Sequence, residues 1–283
     1  MIKKIVINGT IELGVNSKYT LRRGVQGLEM GVLSNADYVV PQSHASRRVS
    51  NWMHSRIITM PITVKGHTVD MLLKNRQELS QEVYRTQGTV QSIIITDASD
   101  KTYQLFGYLE QLDLPAGYNH LSKGVLSFKC DNALIQSTTL KTATVGVLGQ
   151  GGGIMLPFTL PITFPAGSGS VSISNAGTFS SIPDLIITGP GTNFTVRNIT
   201  TGETLRIGYT GKNFTLTSGQ QVTISGIDKS IIQAGVNKYG FKDPRTNFLS
   251  LAPGDNEITL AVESGDTDGT EVQFQWRDSF LGI

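Results

Sequence analysis

Five stretches in the C-terminal half of the chain alternate apolar and polar side chains with a period of two. They carry Leu205, Ile207 and Tyr209; Phe214 and Leu216; Val222 and Ile224; Ile258, Leu260 and Val262; and Val272, Phe274 and Trp276. Successive side chains of a strand point to opposite faces, so this pattern lays one face on a core and leaves the other in water, whereas a helix would scatter the same residues around its surface. Turn dipeptides at Thr201-Gly202, Ser218-Gly219 and Pro253-Gly254 separate the stretches. Short alternating strands at such spacing, with no helical period among them, predict a β-sandwich or barrel.

The N-terminal half mixes periods. "SIIIT" and "TYQLFGYL" flank the turn-rich "DASDK" as a hairpin, and "GVLSFKC" alternates as a further strand that turns Cys130 inward as an inert thiol. "HTVDMLLKNRQELSQEVYRTQG" reads as one helix lying on that sheet, with Val69, Leu72, Leu73, Leu79 and Val83 near its buried face, Thr68 as N-cap and Gly88 as stop. The polar segment from Ser43 to Ser50 reads as a long loop or an arm. The fold class expected is therefore mainly β with one main helix: an N-terminal β-sheet or sandwich plus helix, then a C-terminal β-sandwich.

At 283 residues the chain is long enough for two cores. "GQGGGIMLPFTLPITFPAG" passes abruptly from flexible to stiff backbone, which places a domain of residues 1–143, a Gly/Pro-rich connector at 144–167 and a second domain at 168–283. Residues 1–143 carry 16 Lys/Arg against 11 Asp/Glu, and the remainder 8 against 11. Neither half has the clustered positive stripe of a nucleic-acid binder. Charged residues make up only 16% of the chain, which suits large protein interfaces.

Groups for catalysis are missing from the pattern. His44, His54, His67 and His120 have no Cys, His or carboxylate at metal-ligand spacing, and "GQGGG" lacks the Lys-Ser/Thr of a phosphate loop. Asp266, Asp268 and Glu271 fall short of a calcium loop and read as a hairpin turn. The expectation is no enzyme, no catalytic, cofactor-binding or metal site, and no cofactor. The N-terminal "MIKKIVINGTIELG" reads as a first strand rather than a signal peptide, and no apolar run reaches membrane length, so a soluble chain without membrane contact is expected. The acceptor motifs at Asn8, Asn193, Asn198 and Asn213 read as strand threonines rather than glycosylation sites. Trp276 should face a core. Trp52, among Arg47, Arg48 and Arg56, suits an interface anchor better than a sugar platform.

The order of these parts resembles a known family. An "R-x-I-x-x-P-I-x-V" strand at Arg56 to Val64, the helix with "KNRQEL", a "YLEQLDL" strand, and a joint reading "LPFTLPITF" precede "GTFSSIPDLIITG", "NITTGETLRIG", "LAPGDNEITL" and a terminal "VQFQWRDSFLGI". In that order they resemble the distal tail proteins of long-tailed, non-contractile (siphovirus) phages. The resemblance implies a structural virion protein: a homo-oligomeric, hexameric ring made by the first domains, with galectin-like second domains projecting outward. It implies as partners the tail tube protein, the tail-associated tip or lysin protein, and receptor-binding or baseplate proteins. DNA would pass only in transit through the lumen. The location implied is the distal end of the tail, after assembly in the host cytoplasm. Heterologous ring contacts are expected at Arg47, Trp52 and Arg56, and on the helix at Arg76 and Arg85. The alternative is a carbohydrate-binding β-sandwich module.

Overall fold

The computed structural model describes residues 2–31, 33–39, 46–85, 87–116, 120–147, 170–265 and 269–283, with backbone alone over 33–39 and 46–52. The connector's Gly/Pro-rich run, His44, Asp266 and Asp268 lie outside the described residues. The chain divides into two units, Met1–Thr138 with Phe280–Ile283, and Thr139–Ser279.

The first unit contains β1 (Ile2–Ile7), β2 (Ile11–Gly14), β3 (Tyr19–Leu21), β4 (Leu33–Val39), β5 (Ser46–Met53), β6 (Arg56–Lys65), α1 (Val69–Arg85), β7 (Gln91–Asp97), β8 (Thr102–Asp113), β9 (Leu121–Cys130) and β10 (Ile135–Ser137). Seven strands close on themselves in the order β8-β7-β1-β2-β3-β6-β9, because β8 changes partner along its length. Its first half pairs with β7 up to Gly107, and from Tyr108 onward it pairs with β9 across an irregularity at Leu109–Gln111. A side chain at Gly107 would stand 2.8 Å from Cys130 Sγ and 2.9 Å from the Lys129 carbonyl oxygen, so the crossing point admits only hydrogen. Inward residues such as Ile5, Ile7, Ile58, Met60, Ile62, Ile93, Ile95 and Phe128 fill the barrel. Strands β4 and β5 form a separate two-stranded ribbon, so the described part of the polar segment, Ser46–Ser50, belongs to the second strand of that ribbon.

The helix begins as read: the Thr68 hydroxyl accepts the Met71 amide N–H at 3.2 Å, and Gly88 beyond its end sits at φ +77°. Its inward face differs from the reading. Leu72, Asn75, Leu79 and Val83 are buried, while Val69 and Leu73 are about half exposed. Near the helix start Asn75 takes an inward position, because its amide donates to the Lys65 carbonyl at 2.7 Å and its own carbonyl accepts the Tyr19 hydroxyl. Glu78 pairs with Lys18, and Glu82 accepts from Thr10, so the helix lies over the ends of β6, β3 and the β1–β2 turn.

The second unit contains β11 (Lys141–Gly146), β12 (Ser170–Asn175), β13 (Asp184–Thr188), β14 (Gly191–Asn198), β15 (Thr204–Ile207), β16 (Thr215–Leu216), β17 (Gln221–Ser225), β18 (Ser230–Gln233), β19 (Val236–Asn237), β20 (Gly254–Ser264) and β21 (Glu271–Trp276), with β22 (Ser279–Phe280) at the boundary. Two antiparallel sheets, β11-β21-β13-β17-β18-β19 and β12-β20-β14-β15 with β16 beside β14, share one core. All the alternating residues named from the sequence are buried except Tyr209 and Val262, which are half-buried. The unit boundary differs from the one read at 143/144. Lys141–Gly146 pairs in register with Trp276–Glu271, so the Gly/Pro-rich run joins two strands of the same unit.

Candidate interaction surfaces

Of the five residues read as contact candidates, Arg56 is withdrawn by the structure. Its side chain is 4% exposed, and its guanidinium donates to the carbonyls of Ala133 (2.8 Å), Gly27 (2.7 Å), Glu29 (2.6 Å) and Leu281 (2.6 Å). Burial pulls its pKa downward, opposed by nearby Cys130 and Glu29. With four of its five N–H donors used inside its own unit and its side chain buried, it has little left for a neighbouring subunit. Arg56 is a staple that ties loops and the chain's last residues to the barrel.

The other four remain at the surface or outside description. Half-buried Arg76 donates to the Leu114 carbonyl at 2.6 Å, and exposed Arg85 pairs with Glu82 at 2.8 Å. Arg47 and Trp52 stand on β5 opposite Tyr38 and Ser34 of β4, and their side chains are outside the described set.

Two exposed apolar surfaces of the first unit were missed by the sequence reading. On the helix, Val69, Leu73, Gln77, Ser80 and Tyr84 follow one another at spacings that place them on one stripe, free of charged side chains. Val69, Leu73 and Tyr84 are each about half exposed. On the barrel wall, Lys129 of β9 is register partner to both Ile57 of β6 and Tyr108 of β8, so the three form a row across adjacent strands. Phe106 shares the outward face of Tyr108, and Val90 precedes the Gln91–Gly107 pair and continues the row; all four apolar side chains are exposed. In "TYQLFGYL" the signal was present, since both faces of the strand carry large apolar groups, more than a half-buried strand needs.

His54, His67 and His120 are exposed and dispersed, and among the described residues no three potential ligands gather to hold a metal. Cys130 is buried and its thiol pKa is pushed up to about 11, chiefly by desolvation, which keeps it protonated and unreactive at neutral pH. Asn193 and Asn198 are buried with their amide groups hydrogen-bonded, so neither presents an acceptor for a glycan.

Comparison with known proteins bears on the whole chain. Residues 176–280 match the family model of the siphovirus-type tail component, C-terminal domain. The fold is similar to that of the SPP1 Dit (gp 19.1) protein, described as a paradigm of the hub adsorption apparatus in phages infecting Gram-positive hosts. The TM-score is 0.63 at 12% identity, over 98% of this chain and 98% of that one. The phage P2 baseplate in its activated conformation with Ca gives 0.43 at 11% identity, over 97% of this chain and 98% of that one. No curated relative matches the sequence. Residues 176–280 of the second unit are thus similar to the C-terminal domain of a siphovirus-type tail component, and the resemblance of the chain to the distal tail proteins holds. A structural protein of the phage tail is the class to which this family match points.

Proposed function

We propose that this chain is the hub of the distal tail: a hexameric ring built by the barrel units, joining the tail tube to tip or baseplate proteins and letting DNA pass through its lumen. The galectin-like second units would project outward toward host-recognition proteins. The reading includes a non-enzymatic role and assembly in the host cytoplasm before incorporation at the tail end. It rests on the family match of residues 176–280. Two unlike apolar surfaces on the first unit support it, because a closed ring needs heterologous contacts in which one patch meets a different one. The test is the mass and shape of the purified full chain by light scattering and negative-stain imaging. Rings of six copies are expected. A chain that stays monomeric at all concentrations, including with the tube protein present, overturns the proposal.

A further inference from the structure

The second unit gathers its positive charge in one place. Residues 139–279 carry nine Lys/Arg against eleven Asp/Glu, yet five of the nine, Lys212, Lys229, Lys238, Lys242 and Arg245, belong to one loop cluster. The cluster is built on the 3₁₀ turn Tyr239–Phe241 and on Phe248. Lys212 and Lys238 lie 5.3 and 5.8 Å from the centre of the Phe241 ring, and Lys229 and Lys242 lie 4.7 and 5.6 Å from that of Phe248. Phe241 rests on buried Phe214, and Tyr239 stacks on Phe248 at 6.4 Å with the rings only 22° apart. Tyr239 is 48% exposed, a flat ring held open on a fixed support.

Lysine stems commonly cover aromatic rings while the ammonium stays in water, and one or two such contacts would need no further explanation. Four ammoniums around two neighbouring rings are a different matter, because like charges repel and usually recruit carboxylates. Among the described residues, none of these lysines has a carboxylate within ion-pair distance. The acids nearest in sequence are engaged otherwise: Asp228 bonds to the Ser225 hydroxyl, and Asp243 accepts the Arg245 amide N–H. Lys242 donates to the carbonyls of Asp243 and Thr246, so its role is to brace the loop. The remaining cations face solvent or its edge around Tyr239.

We propose that this face binds a phosphate-bearing polysaccharide, with a sugar ring on Tyr239 and phosphodiesters on Lys212, Lys229 and Lys238. Tyrosine offers an amphipathic platform for the apolar face of a sugar. Ammonium groups act as point charges and suit a freely rotating phosphodiester, whereas planar recognition of carboxylates in an acidic peptide favours arginine forks. Single-stranded nucleic acid would require a series of exposed rings for successive bases, and the cluster exposes one.

The test uses the full chain and a purified polymer of glycosylated glycerol phosphate, read by calorimetry. Neutral fragments of that polymer, poly-glutamate and a thymidine oligonucleotide serve as competitors. The polymer should bind, more weakly as salt rises, and Tyr239→Ala and the pair Lys212→Gln/Lys229→Gln should each weaken binding about tenfold with thermal unfolding unchanged. The proposal is overturned if the polymer does not bind, if the neutral fragments bind equally well, or if either other polyanion binds as tightly. It is overturned equally if binding is indifferent to Tyr239→Ala, which would reveal charge attraction alone.

Discussion

The barrel unit and the sandwich unit keep their loops in place by different means. In the sandwich, buried asparagines do the work: Asn198 donates to the Ser250 carbonyl and to Asn256 while accepting the amide N–H groups of Thr200 and Thr201. Asn256 and Asn175 bridge turns in the same manner. Each is short, neutral and locally satisfied, so the bonds are spread over many residues. The barrel concentrates the task in one long cation, Arg56, which reaches carbonyls as far apart in sequence as Gly27 and Leu281. Distributed bonds leave the sandwich tolerant of single losses, whereas in the barrel one side chain carries four such bonds at once.

The largest expected effect breaks the barrel's side of that comparison. Arg56→Met should orphan four carbonyls, one buried and three partly buried, and destabilise the first unit by about 3 kcal/mol. Hydrogen exchange should quicken at Ile58–Val64 and leave Val222–Ile224 unchanged. Equal protection in variant and parent would show that water or a neighbouring loop replaces the guanidinium. On the sandwich side, Asn198→Ala should cost roughly 2 kcal/mol, since its partners in the Thr200 turn stay near solvent and only part of the network is lost. Exchange should then quicken in β14 and β20 alone.

A third difference is titratable. The Cys130 thiol has its pKa raised by burial from 9.0 to about 11. A raised acid pKa means that the folded state holds its proton more tightly, so this contribution is complete below about pH 9 and is lost as pH rises toward 11. The unfolding free energy of the parent, from denaturant curves, should fall across that window by about 2 kcal/mol relative to Cys130→Ala. Parallel curves for the two proteins would show that the thiol is more hydrated than its burial implies. The sandwich unit has no cysteine and so contributes nothing to this difference.

How much was legible follows from the same contrast. In the sandwich, one face of each strand is dry, and period two names Leu205, Ile207, Val222, Ile224, Val272 and Phe274 directly as core. Its edge was not legible, because Lys141–Gly146 is separated from the rest by a Gly/Pro-rich run that has the composition of an interdomain joint. Only the register with β21 assigns it. Barrel closure was likewise hidden: nothing local marks β8 as a strand with two successive partners except Gly107. Arg56 looked like a contact residue because isolated arginines are usually exposed, and its carbonyl partners lie up to 225 positions away. The helix was legible in position and cap. Its inward side was not, since Val69 and Leu73 are apolar for a reason other than the core.

The smallest effect on the fold tests that last point. Leu79, fully buried on the helix, should cost about 2–5 kcal/mol when changed to Ala, because a cavity is left in the barrel core. Leu73, six positions earlier and 49% exposed, should cost no more than about 0.5 kcal/mol when changed to Ser. If the stripe of Val69, Leu73 and Tyr84 is covered by another subunit, the consequence of Leu73→Ser appears elsewhere: the folded chain persists and its assembly weakens. Light scattering against concentration separates the two. A shift of the assembly midpoint to higher concentration with an unchanged unfolding curve assigns the stripe to an interface. An unchanged midpoint moves the contact to the other apolar surface, the Ile57–Tyr108 row, and Tyr108→Ser then becomes the variant that must disturb assembly. Should neither variant alter it, the barrel's exposed apolar groups are not what distinguishes it from the sandwich.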